Sequence, residues 1–396
     1  MRVFSLSLFL VALFTGQLLA QELRYPIEDF HNRTIEFLVD HAHPEGDTFA
    51  LYYQLSSNFD YDQPTLFFLY DTQQSYGKPG EVDDLAKRYG IPETINVVRI
   101  QNRGRDYSHI DLKTEDGSID WKRTYRLLSS HQLVEDIEQV RLHLFMESPE
   151  TRIHLFGRSG GGYLVQEYLA KYPRNVGRAY IESAPNPLMM SMLGNPESVR
   201  LRDSLEGIEP GLHGMLKQVL TDEIVPPLSL MWILMRLGYA QENPGEAEAQ
   251  LVRELHEGKT ETYDQYLTRR GFDIMMFLDD QREATAWQLG LGMYIRAIEC
   301  DTEYLLGPAP DVIDPIYFCL REISRPIIDL IDAGEVPAPR YPSLGQLRSI
   351  EAEVFFVVGR DDHVTPYRLG MMLGDYIPRY EVLVPIDNHS LTIQKD

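Results

Sequence analysis

The stretch that decides the fold is RIHLFGRSGGGYLVQEYLAKY, residues 152–172. Residues 152–156 form a short apolar run of the kind that becomes a buried strand, and an amphipathic helical segment begins at Gly162. Between them lies a G-x-S-x-G motif with Ser159 at its centre. Glycines that flank a serine predict a sharp strand-to-helix turn, because side chains there would collide as the turn tightens. Such a turn presents the serine hydroxyl to a ligand.

Strand and helix patterns alternate on both sides of this turn. Helices are predicted at residues 81–89 and 133–144, where apolar residues recur three or four positions apart. The first two strands have a turn that contains proline and glycine between them, which predicts a leading antiparallel hairpin. Together the patterns predict an α/β fold with a mostly parallel sheet and helices on both faces. Strands are predicted at residues 34–39, 48–55, 65–70, 95–100, 152–156, 178–181, 352–358 and 380–386.

The pattern changes in the middle of the chain. From about residue 184 to 347, long amphipathic helical stretches replace the alternation, and proline and glycine interrupt them. We interpret this part as a large helical cap inserted into the core. The chain therefore divides into an amino-terminal segment 1–20, a first core part 21–183, the cap 184–347 and a second core part 348–396. The second core part leaves no room for a full closing helix after the last strand.

Composition and charge exclude several classes of protein. Of the 396 residues 43% are hydrophobic, which supplies the apolar area of a large core, so disorder is not expected. The formal net charge of -23 gives a surface that repels nucleic-acid phosphates, so we expect no nucleic-acid partner. Beyond the first segment, no apolar run reaches the roughly 20 residues that span a bilayer, so we expect no stable membrane anchor.

The amino terminus has the zones of a secretory signal peptide. A charged start is followed by an apolar run at residues 3–14 and by small residues up to Ala20. We predict cleavage after Ala20 and export to the periplasm or the extracellular space. In an exported chain, Cys300 and Cys319 form either one disulfide or two buried thiols, and both alternatives stay open.

The serine of the motif needs a base, because a hydroxyl at its free pKa is a weak nucleophile. When a serine lies on a strand–turn–helix motif of this kind, the acid and then the histidine follow it in the chain. The predicted seventh strand runs into a loop with Asp361 and Asp362, and the eighth runs into His389. We therefore expect Ser159 to act with His389 as its base and with one of the two aspartates as the acid. His363 is the rival histidine, and we interpret it as an exposed loop residue.

Three motifs of this chain resemble those of a known family. They are the G-x-S-x-G turn, the Gly-x-x-Asp segment 359–362 and the Asn-Arg-Gly segment 102–104. Together they resemble the prolyl aminopeptidase and tripeptidyl aminopeptidase branch of the α/β-hydrolases, over most of the two core parts. The resemblance implies the α/β-hydrolase fold. It also selects Asp362 as the acid, with Asp361 as the alternative, because the family acid lies three residues after that glycine.

Two backbone N–H groups are expected to stabilise an oxyanion. The first is that of Gly160, which follows the nucleophile and opens a helix whose positive dipole end faces the site. In the family, a His-Gly-Gly-Pro-Gly loop supplies the second donor, whereas residues 70–77 of this chain read YDTQQSYG. We expect Thr72 or Gln73 to donate in its place.

These features predict a secreted serine hydrolase that acts by acyl transfer. The resemblance implies an aminopeptidase of the prolyl aminopeptidase type that acts on short peptides. A carboxylesterase or lipase-like ester hydrolase is the alternative, and a non-catalytic binding protein with this fold is a third interpretation. The expected partner is a small peptide or ester substrate, and the chemistry requires no metal or organic cofactor.

The cap is expected to select the substrate, because the fold fixes only the chemistry. Its acids offer a site for a substrate ammonium group, although acidic helical runs are usually solvated faces. The stretch 230–235, rich in methionine and aromatic residues, is interpreted as core and not as a pocket. The candidate acids are Asp279, Asp280, Glu283, Glu299, Asp301 and Glu303.

Overall fold

The computed structural model of the protein describes most of the chain. The predicted signal peptide, residues 1–20, lies outside the described residues. Within the part that the structure describes, no helix combines the length and the apolar character needed to cross a membrane. The described residues are 29–70, 81–104, 107–193, 200–240, 244–269, 272–274, 287–308, 313–362, 364–389 and 391.

The core of the described chain is a sheet of eight strands. They are β1 Asn32–Leu38, β2 Thr48–Leu55, β3 Thr65–Leu69, β4 Asn96–Ile100, β5 Ile153–Arg158, β6 Val176–Glu182, β7 Glu353–Val357 and β8 Tyr380–Leu383. Their order across the sheet is β1-β2-β4-β3-β5-β6-β7-β8. β2 runs antiparallel to β1 and β4, whereas all other neighbours are parallel. This order, with only the second strand reversed, is that of the α/β-hydrolase fold, as predicted.

Helices surround the sheet and join its strands. They are α1 Glu81–Arg88, α2 Trp121–Leu127, α3 Ser130–Leu144, α4 Gly160–Lys171, α5 Pro187–Leu193, α6 Arg200–Ile208, α7 Leu212–Thr221, α8 Pro227–Ala240, α9 Pro244–His256, α10 Glu261–Leu267, α11 Trp287–Cys300, α12 Thr302–Leu306, α13 Pro315–Ile323, α14 Arg325–Asp332, α15 Leu344–Arg348 and α16 Tyr367–Leu373. The predicted helix 133–144 is part of α3, which begins three residues earlier.

All eight predicted strands are present, and their ends differ from the prediction by at most three residues. The largest difference is in β8, which was predicted to reach residue 386 and ends at Leu383. Pro385 follows shortly after and has no N–H to pair with a neighbouring strand. The leading hairpin is also confirmed, because β1 pairs antiparallel with β2 from Asn32 opposite Gln54 to Leu38 opposite Thr48.

The central strands are covered on both faces. All five residues of β3 are buried, and alternate side chains point to opposite faces. Leu66 and Phe68 pack with Val82 and Leu85 of α1 on one face. Phe67 and Leu69 belong to the main core on the other face. A strand in this position is apolar throughout and does not alternate, which is the pattern that the sequence has.

The described chain between β6 and β7 is helical, from α5 to α15. α8 lies at the centre of this region and packs against α9 and α13. Residues 230–234 within α8 are all buried, so the stretch rich in methionine and aromatic residues is core, as interpreted. The predicted division of the chain at residues 184 and 347 remains a prediction.

The two cysteines lie in neighbouring helices of this region. Cys300 is the last residue of α11 and Cys319 lies within α13. Both are buried, and no disulfide joins them. Burial raises the pKa of the Cys319 thiol, since a thiolate is poorly solvated among apolar side chains. Of the two alternatives, the structure therefore has the buried thiols.

A buried ion pair fastens the loop after β4 to α3 and to the loop that follows β1. The Arg103 side chain is fully buried, and its Nε and Nη2 donate to the two carboxylate oxygens of Asp136 at 2.7 and 2.6 Å. Its Nη1 donates to Val39 O at 2.7 Å, and His41 Nε2 lies 2.7 Å from Asp136 Oδ1. The arginine of the Asn-Arg-Gly segment is thus a structural residue.

Replacing Arg103 is expected to destabilise the fold strongly. Arg103→Met would leave the buried Asp136 carboxylate without its bidentate partner, and breaking such a pair costs about 3–5 kcal/mol of unfolding free energy. Urea unfolding followed by circular dichroism measures this loss. Arg174→Met is the control, since Arg174 is exposed and its ion pair with Glu351 should contribute only about 0–1 kcal/mol. Equal unfolding midpoints for the two variants would contradict this role.

Candidate active site

Ser159 lies on a strained turn between β5 and α4. Its backbone angles are φ 51° and ψ -125°, a conformation that side-chain-bearing residues rarely adopt. Two hydrogen bonds hold the turn: Ser159 N–H donates to Glu182 O at 2.8 Å, and Tyr163 N–H donates to Ser159 O at 3.1 Å. The predicted strand-to-helix turn is therefore present, and the helix begins at Gly160, two residues earlier than its apolar pattern indicates.

Gly157 is needed because two parts of the backbone meet at this turn. A Cβ on Gly157 would collide with the carbonyl oxygen of Gly161. The first glycine of the motif therefore lets the end of β5 lie in direct contact with the first turn of α4. This close approach is the structural reason for a glycine two residues before the serine.

His389 lies between Ser159 and Asp362. Its Nε2 is 3.2 Å from Ser159 Oγ, and its Nδ1 is 2.9 and 3.0 Å from the two carboxylate oxygens of Asp362. The side chains of His389 and Asp362 are both fully buried. A carboxylate next to Nδ1 favours the tautomer with the proton on that nitrogen, which leaves Nε2 as an acceptor facing the hydroxyl. The structure thus brings together the three residues that the sequence singled out.

The carboxylate of Asp362 is oriented by the backbone that follows it. Its Oδ1 accepts hydrogen bonds from the N–H groups of Val364 and Thr365 at 2.9 and 2.8 Å. Thr365 Oγ1 in turn donates to Ser183 O at 3.1 Å, which ties this loop to the end of β6. The sequence analysis did not assign Thr365 a role, although an aspartate that bonds the backbone two residues further on is a common turn former.

Asp361, the alternative acid, does not contact His389 in this way. Its side chain is exposed, and its backbone N–H donates to Asp387 O at 3.0 Å. The geometry therefore favours Asp362, in agreement with the choice made from the resemblance. His363, the rival histidine, lies outside the described residues.

The loop with the acid and the loop with the histidine touch through their backbones. A Cβ on Gly359 would collide with the carbonyl oxygens of Asp387 and Asn388. Arg360 N–H also donates to Pro385 O at 2.7 Å. The absence of a side chain at Gly359 therefore sets the distance between the two loops.

Adding a methyl group at Gly359 is expected to push these loops apart. Gly359→Ala should lower the free energy of unfolding by about 1–3 kcal/mol, the usual cost of overpacking. Gly214→Ala in α7 is the matched control, because a Cβ there meets open space. That change should leave stability equal or raise it by up to about 1 kcal/mol, since alanine is the better helix former. Urea unfolding of both variants tests this, and equal midpoints would argue against the contact.

The candidate oxyanion site is described in part. Gly160 is the first residue of α4, and the first N–H groups of a helix have no carbonyl acceptor within it. Together with the positive end of the helix dipole, this favours a developing negative charge near Ser159. Thr72 and Gln73, the expected second donors, lie outside the described residues.

The acids proposed for the cap fall into three groups. Glu299 is buried, pairs with Arg296, and accepts hydrogen bonds from the N–H and the hydroxyl of Ser130 at the start of α3. It therefore links α11 to the core and was a wrong candidate for ammonium binding.

Burial raises the pKa of Asp301 to about 7, and Glu303 accepts a hydrogen bond from Tyr341 at 2.8 Å. The acids outside the described residues are Asp279, Asp280 and Glu283.

Among the described residues, no group of three or more histidine, cysteine, aspartate or glutamate side chains is arranged to hold a metal ion.

Comparisons with known proteins add little beyond the fold. No protein-family model matches the chain, and no curated protein matches it. A probable hydrolytic enzyme from Pseudomonas aeruginosa is 14% identical with a TM-score of 0.45, over 94% of this chain and 93% of that chain. A thermophilic esterase from Thermogutta terrifontis is 12% identical with a TM-score of 0.41, over 90% and 91%. The aminopeptidase branch stays a prediction.

Proposed function

We propose that this protein is a serine hydrolase that works by acyl transfer, with Ser159, His389 and Asp362 as its catalytic triad. The observation that carries the proposal is the unbroken line of contacts from carboxylate to imidazole to hydroxyl. The serine in these contacts has a strained backbone, and such a turn exposes the hydroxyl at the end of the strand. A buried carboxylate beside a buried histidine that faces a serine hydroxyl is the arrangement by which serine hydrolases activate the nucleophile.

The first step follows from the geometry. His389 Nε2 accepts the proton of Ser159 Oγ as that oxygen attacks the carbonyl carbon of the substrate. The C=O π electrons move to the carbonyl oxygen and form a tetrahedral oxyanion. Asp362, beside Nδ1, stabilises the imidazolium that results and does not itself take the proton.

The second step completes the reaction. His389 gives its proton to the leaving amine or alcohol, and the bond from the acyl carbon to that group breaks, which leaves an ester on Ser159. Water then attacks this ester while His389 again accepts a proton. The bond from the acyl carbon to Ser159 Oγ breaks, His389 returns its proton to that oxygen, and the acid product departs. In both steps we assign the oxyanion to Gly160 N–H and to a second amide from Thr72 or Gln73.

The finer assignments are proposals as well. We propose short peptides with a free amino terminus as substrates, on the resemblance of the core motifs alone. An aryl or alkyl ester is the second candidate, since the loop 70–77 differs from that of the aminopeptidases. We also propose that the protein is exported, with cleavage after Ala20, on the pattern of its amino terminus.

Triad variants test the proposed mechanism. Ser159→Ala and His389→Ala should each lower kcat for an aryl butyrate by about 10⁴-fold or more, because each removes a group that reacts. His363→Ala should leave kcat nearly unchanged. Loss of activity in His363→Ala with retention in His389→Ala would show that the wrong histidine is assigned.

The two aspartates provide a matched pair. Asp362→Asn should lower kcat by about 10⁴-fold, since an amide favours the wrong imidazole tautomer. Asp361→Asn makes the same chemical change on an exposed side chain one residue away and should have almost no effect. Steady-state kinetics on one ester substrate decide between them, and a larger loss in Asp361→Asn would overturn the assignment.

The substrate class is tested by comparing amides with esters. Aminoacyl arylamides with free and with acetylated amino termini are assayed beside an aryl butyrate, with Ser159→Ala as the baseline. We expect hydrolysis of the amide with the free amine and little of the acetylated one. Cleavage of the ester alone would replace the peptidase proposal with an esterase.

A further inference from the structure

Arg158 occupies the variable position of the motif directly before the serine. It is the last residue of β5 and shares its face of the sheet with Phe156, two residues earlier. Phe156 packs in the cluster beneath α1, and Tyr89, just after α1, packs against Phe156. The arginine side chain therefore lies on the α1 side of the sheet, whereas the hydroxyl of Ser159 turns toward His389.

The Arg158 guanidinium reaches the backbone of the base. Its Nη2 donates to His389 O at 2.9 Å, a contact between residues 231 positions apart. Burial raises the pKa of the Tyr89 phenol, and the nearby Arg158 guanidinium acts in the opposite direction. Glu182, its register partner on β6, places a carboxylate near the same phenol. The Arg158 side chain is therefore held by the carbonyl of His389 and lies near the Tyr89 phenol.

The loop with His389 needs such a support. β8 ends at Leu383, and the chain then continues through Pro385 without strand pairing. Backbone contacts with the acid loop hold its earlier part: Arg360 N–H donates to Pro385 O and Asp361 N–H donates to Asp387 O. The hydrogen bond from Arg158 holds a later position of this loop, the backbone carbonyl of His389.

We infer that Arg158 is a positioning residue, which holds the backbone of His389 so that the imidazole keeps its place between Asp362 and Ser159. This inference rests on the proposed function. A guanidinium suits the task because its planar set of donors has a fixed geometry, which directs the hydrogen bond to the carbonyl of His389. The motif then has two functions in neighbouring residues: Ser159 reacts, and Arg158 aligns the base for it.

The inference makes a specific kinetic prediction. A displacement of about 1 Å in a catalytic group costs about 10²-fold in rate. Arg158→Met and Arg158→Gln remove the contact and should lower kcat for an aryl butyrate by about ten- to hundredfold. KM should change little, since a residue that acts through the position of His389 affects the rate of the chemical step. Arg158→Lys keeps a charged donor of similar reach and should restore part of kcat.

Arg178→Met is the matched control. Arg178 lies on the same face of the sheet, at the other end of β6, where it pairs with Glu353 at 2.9 Å and is exposed. Replacing Arg178 tests whether the loss of an arginine elsewhere on this face of the sheet also lowers kcat. We expect kcat and KM of this variant to match those of the wild type.

A second readout does not depend on turnover. The proton between His389 Nδ1 and Asp362 should give a low-field proton NMR resonance, assigned by its loss in His389→Ala. In the folded Arg158→Met or Arg158→Gln protein, this resonance should shift or broaden, while Arg178→Met should leave it unchanged. Two variants are used so that the measurement can still be made if one of them fails to fold.

The outcomes separate the two proposals. Wild-type kcat together with an unchanged resonance in either folded variant would overturn the role of Arg158 and leave the triad intact. If the wild type shows no hydrolysis that depends on Ser159, the proposed function fails. The resonance still decides whether Arg158 positions His389 in that case.

Discussion

The strained backbone of Ser159 is the constraint on which the rest of the site depends. A residue with φ 51° and ψ -125° costs about 1–3 kcal/mol and persists only when its surroundings fix it. Here the hydrogen bond from Ser159 N–H to Glu182 O and the close contact of Gly157 with Gly161 hold this conformation. Because the chain turns so sharply, the hydroxyl and the first N–H groups of α4 lie together at the edge of the sheet.

The parallel sheet explains why distant residues meet at that edge. β5, β6, β7 and β8 are neighbours that run in the same direction, so their carboxyl ends lie side by side. Ser159 follows β5, Asp362 follows β7 and His389 follows β8. Backbone contact at Gly359 holds the loops after β7 and β8 together. Arg158, at the end of β5, connects the loop after β8 to the turn that contains Ser159. The contacts of His389 with Ser159 and Asp362, between 2.9 and 3.2 Å, result from these links.

Much of this could be predicted from the sequence, because the strands and the turn have local signals. Apolar runs marked all eight strands, and the glycines marked the strained serine. The choice of Asp362 over Asp361 came from resemblance, and in the structure the Asp362 carboxylate is the one that contacts His389. The role of Glu299 could not be predicted, since its partners Arg296 and Ser130 are brought together only by the packing of α11 on the core. An acidic residue in a helix looks the same whether it binds a ligand or an internal arginine.

The most direct test of the central claim is covalent labelling of the folded protein with a fluorophosphonate, followed by intact mass and peptide mapping. This reagent needs a serine whose hydroxyl is activated by a base. The account predicts one adduct per chain, located on Ser159, lost in Ser159→Ala and formed far more slowly in His389→Ala. No adduct on the folded wild-type protein, or an adduct on a different serine, would contradict it.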